Sequence, residues 1–224
     1  MSLEQILLVA PVLLFSIVAH EYAHAEAAYR QGDPTAYMLG RLTLNPLKHI
    51  DPFMTIILPT ILLMMGGPAF GAAKPVPVNP RNYREYRKGD IIVSLAGIAT
   101  NIALFFVSAI GFAVAGWLAH AVAGLRPSLG ILQQMLTYGM WVNLVLAFFN
   151  LIPLPPLDGS HVLKHFLPPE AGLRYRQLYA FGFIPIMLVV WLLPGVVDAF
   201  LWPARQLMQV AFRLVGGFGI PEVM

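Results

Sequence analysis

The chain has 224 residues, of which 58% are hydrophobic and only 11% charged, and its mean hydropathy is +0.71. A soluble domain carries about 25% charged residues, so composition excludes an ordinary water-soluble globule. The formal net charge of +3 comes without a long basic tract, which argues against nucleic acid as a partner. No cysteine is present, so disulfides and thiolate metal ligands are excluded. The expectation is an all-α polytopic membrane protein, a single membrane-embedded domain over residues 1–224, with the lipid bilayer as its solvent.

The first apolar run begins near Ile6, and residues 4–30 read as one helix. At about 1.5 Å per residue it can cross a hydrocarbon core of ~30 Å. Gly32-Asp33-Pro34 stops it. There is no basic region ahead of the apolar run, so it does not read as a cleavable signal peptide. Inside the run lies His20-Glu21-Tyr22-Ala23-His24. On a helix, positions i and i+4 share a face, so both imidazoles can reach one metal ion. Glu21 falls beside them, placed to take a proton from water. A charge at the centre of a bilayer costs roughly 2.5–3.5 kcal/mol or more. A metal ion explains three polar groups there better than a helix end that merely meets water. Arg30 follows His20 by ten residues, which puts the site about 15 Å below that membrane face.

Residues 35–50 carry an alternation around Arg41-Leu42-Thr43-Leu44 with Gly40 ahead of it, and predict a small β-hairpin. Residues 53–66 are apolar, but short for a span and interrupted by Pro59. Lys74-Pro75-Val76-Pro77-Val78-Asn79 forbids a helix and suits an extended edge strand. Arg81, Arg84, Arg87 and Lys88 mark a cytoplasmic loop.

Residues 90–119 and 130–150 predict two further spans, the first rich in glycine for close helix packing. Three prolines after Asn150 break the chain just before Asp158-Gly159. Residues 178–200 read as a last span kinked at Pro185 and Pro194, and residues 203–215 as an interfacial amphipathic helix. The sum is about four to six transmembrane helices. If Asp158 and the His pair approach one membrane face, an even number of crossings must separate them. Residues 53–66 are therefore expected to be re-entrant rather than spanning. The basic loops then lie on the cytoplasmic side and the N-terminus outside.

A catalytic zinc ion usually has three protein ligands and one open position. With Glu21 kept as base, one more ligand is needed. Asp158, His49, Asp51, Asp33, His161 and His120 are all candidates by residue type. Gly159 lets the backbone approach closely at Asp158, but Asp158 could equally cap the short helix that begins near Ser160.

Two motifs taken together narrow the choice. His20-Glu21-x-x-His24 with Asn150-x-x-Pro153-x-Pro155-x-Leu157-Asp158-Gly159 resembles the site-2 protease family of intramembrane zinc metalloproteases, peptidase family M50. Gly40-Arg41-Leu42-Thr43-Leu44-Asn45-Pro46, residues 74–79 and Ser94-Leu95-Ala96-Gly97-Ile98-Ala99-Thr100-Asn101 are similar to its compact prokaryotic branch. Ile98 stands where many relatives have proline. The resemblance covers most of residues 10–165, and the chain has no room for the PDZ or CBS domains of larger relatives. It implies one Zn2+ held by His20, His24 and Asp158, with Glu21 as catalytic base. It also implies that Asn150 holds the substrate backbone or the oxyanion.

The activity so implied is hydrolysis of peptide bonds in transmembrane or membrane-associated protein substrates, in a prokaryotic inner membrane, with the site nearer the cytoplasmic face. A helical substrate must unwind before attack, and residues 36–46 are the favoured edge to catch it by backbone pairing. A silent protease-like binding protein and a metal transporter are the alternatives. The intact Glu21 argues against the first. The clustering of polar residues at one depth argues against the second. Asn101 and Asn143 read as helix-packing residues as readily as substrate contacts. His161 and His165 read mainly as interface residues, and Met38, Met64 and Met65 as gap fillers.

Overall fold

The computed structural model describes residues 2–52, 57, 61, 64 and 74–220. Eight α-helices are named here: α1 (Leu3–Gln31), α2 (Thr35–Met38), α3 (Tyr86–Ala121), α4 (Arg126–Asn150), α5 (Asp158–Leu163), α6 (Pro169–Gln177), α7 (Ile184–Leu192) and α8 (Pro194–Val215). Three stretches are long and apolar enough to cross a membrane: Leu3–Gln31, Tyr86–Ala121 and Ala123–Asn150. Pro169–Phe181 and Ile184–Leu192, bent at 89°, make a fourth if they count as one span. Most of 53–66 lies outside the described residues, and with it the expected re-entrant turn.

Two expectations are corrected. The first is the hairpin over 35–50: among the described residues there is no strand. Residues 35–38 form α2, and Gly40 ends it at φ +63°. Gly40 N–H donates to the Tyr37 carbonyl at 2.9 Å and Arg41 N–H to the Ala36 carbonyl at 2.8 Å. Those two bonds are the ordinary way a glycine closes a helix. The glycine taken as a hairpin centre is a helix terminator, and the alternation after it belongs to a loop.

The second is the single span over 178–200. Gly182 takes φ +54°, Pro185 sits in the first turn of α7, and Pro194 opens a new helix. Proline supplies no N–H to a helix interior but fits its first turn. The segment is therefore cut in two. The amphipathic helix starts at Pro194 and not at 203. Ala204, Met208, Ala211 and Phe212 turn one face of α8 into a core, while Arg205, Gln209 and Arg213 stay on exposed or half-exposed positions.

The chain divides into two compact units, one of residues 1–16 and 98–224, the other of residues 17–97. In the larger unit, Phe105, Phe112, Met140, Leu144 and Ala211 form the core. Buried amides stitch its helices. Asn101 Nδ2 donates to Asn143 Oδ1 at 2.8 Å, and Asn143 Nδ2 donates to Ser16 Oγ at 3.0 Å. Interhelical hydrogen bonds in membranes average only about 0.6 kcal/mol, so this network fixes register more than it adds stability. Gln133 clamps the last described turn, donating to the Phe218 carbonyl at 3.0 Å and accepting from Ile220 N–H at 3.0 Å. Gly116 leaves the gap for it, since a Cβ there would lie 1.8 Å from the Phe218 oxygen.

The smaller unit is organised by Asp33, which is fully buried. Its carboxylate accepts from Asn79 N–H at 2.6 Å, from Asn82 Nδ2 at 2.8 Å and from the Thr35 hydroxyl and N–H. Burial pushes the Asp33 carboxyl up, and these donors outweigh it and hold it below its ordinary value of 3.8. Ala25, Ala36 and Val76 form one small apolar core of this unit, and Ala28, Tyr83 and Val93 form another.

A group whose folded value is depressed stabilises the fold above its unfolded value and loses that effect as pH falls. The Asp33 contribution is thus complete above pH 3.8 and disappears as acid titrates the lower folded-state value. Asp33→Ala should lower the melting temperature at neutral pH, costing about 3 kcal/mol or more, since each hydrogen bond to a charged group is worth roughly 1.5–3 kcal/mol. The deficit against wild type should shrink below pH 3.8 in thermal unfolding of the detergent-solubilised protein.

Candidate metal centre

The helical phase of α1 delivers what the motif requires. His20 and His24 sit one turn apart, their rings edge to face with centroids 4.6 Å apart. Their Nε2 atoms are 2.9 Å from each other. His24 Nδ1 lies 2.7 Å from the Val93 carbonyl of α3. A carbonyl only accepts, so His24 carries its proton on Nδ1 and offers the Nε2 lone pair inward. That is the orientation a second-shell acceptor gives to a metal-binding imidazole.

Facing the pair is Gly97, one turn after Val93 on α3. A Cβ there would lie 2.6 Å from His20 Nε2, His20 Cε1 and His24 Nε2 alike. The absent side chain is the cradle: any larger residue would fill the space at which both nitrogens aim. Two nitrogens bound to one tetrahedral zinc at about 2.0–2.1 Å are about 3.3 Å apart, close to the observed separation. The donor chemistry, two imidazoles and no thiolate, also suits zinc.

Glu21 is half-buried on the same turn, and its Oε2 accepts from Val76 N–H at 2.8 Å. Residues 74–79 lie outside any helix and, among the described residues, pair with no strand, so the edge strand expected there is not formed.

In the larger unit, Asn150 ends α4 and its Nδ2 donates back to the Leu146 carbonyl at 2.9 Å. Asp158 is the first residue of α5, and Leu157 takes the cap position. The competing reading of Asp158 as a helix cap therefore fails. Gly159 does what its motif position suggests: a Cβ would come 2.3 Å from the Leu151 oxygen, so only glycine lets the chain fold back there. Tyr175 donates to the Pro153 carbonyl at 2.9 Å, and the Tyr179 and Ser160 hydroxyls are 2.7 Å apart. These two tyrosines brace the proline-rich turn.

Four of the rival third ligands have the following surroundings. Asp33 organises its own unit, His49 Nε2 lies 2.8 Å from the Thr43 carbonyl, and His120 Nδ1 lies 2.7 Å from the Gly116 carbonyl. His161 stacks edge-on with Tyr179, at 5.2 Å between centroids. Sequence reasoning missed the Val93 carbonyl and the Val76 N–H because main-chain groups leave no mark in residue identity. It also missed Tyr175 and Tyr179, whose only signal is their spacing of four.

A metallopeptidase motif seated in a helix apolar enough to cross a membrane, and facing a glycine cradle, defines a membrane zinc metalloprotease. The chain matches Peptidase family M50 over residues 8–192 and belongs to that family. It is 40% identical over 191 residues to "Putative zinc metalloprotease YwhC" of Bacillus subtilis, covering 85% of this chain and 82% of that protein. It is 36% identical over 181 residues to "Putative zinc metalloprotease Rip2" of Mycolicibacterium smegmatis, covering 79% of this chain and 64% of that protein. A Methanocaldococcus jannaschii relative, "Putative zinc metalloprotease MJ0611", is 34% identical over 113 residues, covering 49% of this chain and 50% of that protein. No solved structure matches the chain.

Gly97→Ala should abolish zinc retention while the protein stays folded. Gly124→Ala, where a Cβ meets nothing within 4 Å, should bind zinc like wild type. Metal content by mass spectrometry beside circular dichroism checks both.

Proposed function

We propose that this metalloprotease is an intramembrane endopeptidase that cuts transmembrane or membrane-associated protein substrates. The observation that carries the reading is the placement of His20, Glu21 and His24. All three belong to α1, a helix long and apolar enough to span a bilayer. A protease acting on soluble substrates has no need to seat its motif there, where each polar group is costly.

The reading assigns zinc to His20, His24 and Asp158. When bound, zinc acidifies a water and polarises the scissile carbonyl. Glu21 accepts the proton of the attacking water and delivers it to the leaving amine nitrogen. His24 is held in one tautomer by the Val93 carbonyl, so it stays a ligand throughout. Asn150 turns its amide from the Leu146 carbonyl to the substrate backbone or the oxyanion. Asp158 is favoured as third ligand because Gly159 folds the chain tightly beside it, because both Asp33 oxygens are taken by Thr35, Asn79 and Asn82, and because His120 lies at the far end of α3 from Gly97, about 35 Å along the helix.

The location follows from charge. Arg81, Arg84, Arg87 and Lys88 support a reading in which α3 starts on the cytoplasmic side of a prokaryotic inner membrane. The site then lies about 15 Å below that face, by the rise from His20 to Arg30.

Purified protein should contain one zinc per chain and cleave a membrane-anchored peptide. Glu21→Gln should keep the metal and lose at least about 100-fold in kcat, the low end of a general base's contribution. Asp158→Ala should lose metal and cleavage together. A zinc-replete Asp158→Ala protein would remove Asp158 from the ligand set.

A further inference from the structure

Residues 74–79 do a job that neither an edge strand nor a passive connector would do. Pro75 and Pro77 have no N–H, so Val76 is the one donor among residues 75–77. That donor goes to Glu21 Oε2 at 2.8 Å. The segment is pinned at several points around this bond. Arg41, itself buried, donates from Nη2 to the Lys74 carbonyl at 3.0 Å and the Pro75 carbonyl at 3.4 Å. Lys74 N–H donates to the His49 carbonyl at 2.9 Å, and Asn79 N–H donates to Asp33 at 2.6 Å. The Val76 side chain is buried against Ala25 and Ala36.

We propose that the Lys74–Asn79 segment is a stiff main-chain strap that aims the Glu21 carboxylate, and that Arg41 is a positioning residue that acts through it. This rests on the reading of Glu21 as base and names the device that orients it. A glutamate has three rotatable side-chain bonds, and a base must be held within hydrogen-bond reach of the proton it takes. Tying Oε2 to a rigid N–H fixes the plane of the carboxylate and leaves Oε1 to face the reacting water. The two prolines fix φ on both sides of the donor, so the strap yields little. Backbone groups spent inward on Glu21, Arg41 and Asp33 are also withdrawn from strand pairing with a substrate. The proline pattern thus serves rigidity.

The test uses the full chain, zinc-loaded, in detergent. Hydrogen–deuterium exchange of the peptide 74–79 reports the strap without any turnover. Its exchangeable amides are those of Lys74, Val76, Val78 and Asn79. Glu21→Ala should release one protected amide. Glu21→Gln, whose side-chain oxygen still accepts, should release none. Kinetics supply the second arm, with a fluorescein-labelled membrane-anchored peptide as probe. Val76→Pro removes the N–H, and Val76→Ala removes the side chain while keeping the N–H. Val76→Pro should have kcat about 10- to 100-fold below Val76→Ala, the usual cost of losing a second-shell partner. Its KM and zinc content should match those of Val76→Ala. Arg41→Ala should fall in the same direction, with Arg41→Lys recovering part of the loss.

Unchanged exchange in Glu21→Ala overturns the proposal. So does a Val76→Pro protein with the kcat of Val76→Ala, or one whose loss of activity tracks loss of zinc, which would make the segment merely structural. Should wild type cleave nothing, the protease reading fails, and the exchange arm still decides whether the strap holds Glu21.

Discussion

Two imidazole nitrogens 2.9 Å apart, aimed at a glycine, set the constraint on which the smaller unit is built. The helix that carries them must meet α3 where α3 has no side chain, and the register between the two must hold within a fraction of an ångström. The bond from His24 to the Val93 carbonyl measures that register directly, because Val93 and Gly97 are one turn apart on the same face of α3. Small residues buried on α1, Ala25 and Ala28, let the neighbouring chain come close. Two described segments between α1 and α3, residues 33–41 and 74–82, are tied down in turn. Asp33 draws Asn79 and Asn82 back to the end of α1, and that fixes residues 74–79 against Glu21.

The larger unit solves a different problem. Its helices pack apolar side chains in surroundings where apolar burial gives little selectivity, since lipid is as apolar as a core. Specificity comes instead from a few buried amides and from glycines with matching partners: Asn101 with Asn143, Gln133 with the turn at Phe218, and Gly139 against Ser108. Two tyrosines then brace the proline-rich turn that leads into Asp158. Each unit thus fixes its own part of the proposed machinery by a handful of polar contacts, with apolar residues filling the space between.

Much of this could be read from the residues. The apolar runs located α1, α3 and α4 to within a few positions, because long stretches with few charges leave no other solution in a bilayer. The metal motif was legible because helical spacing converts i and i+4 into a shared face. The hairpin over 35–50 was not, because a glycine with positive φ serves a turn and a helix end equally well, and only the bonds to Ala36 and Tyr37 distinguish them. The expected span over 178–200 failed for a related reason. Hydropathy registers the apolar run through Ile184 and Leu192 but not that Gly182 and the two prolines divide it into separate helices.

The partners that orient the reactive side chains are the Val93 oxygen for His24 and the Val76 nitrogen for Glu21, both main-chain atoms. Alanine scanning, which deletes side chains and spares the peptide unit, would pass over both. Their influence would surface only through exchange to proline, ester replacement of the amide, or insertions that shift the chain by a residue. Substitution at 76 and 93 is therefore limited by how the two buried side chains pack, and a change there that keeps the fit leaves the chemistry these main-chain atoms support untouched.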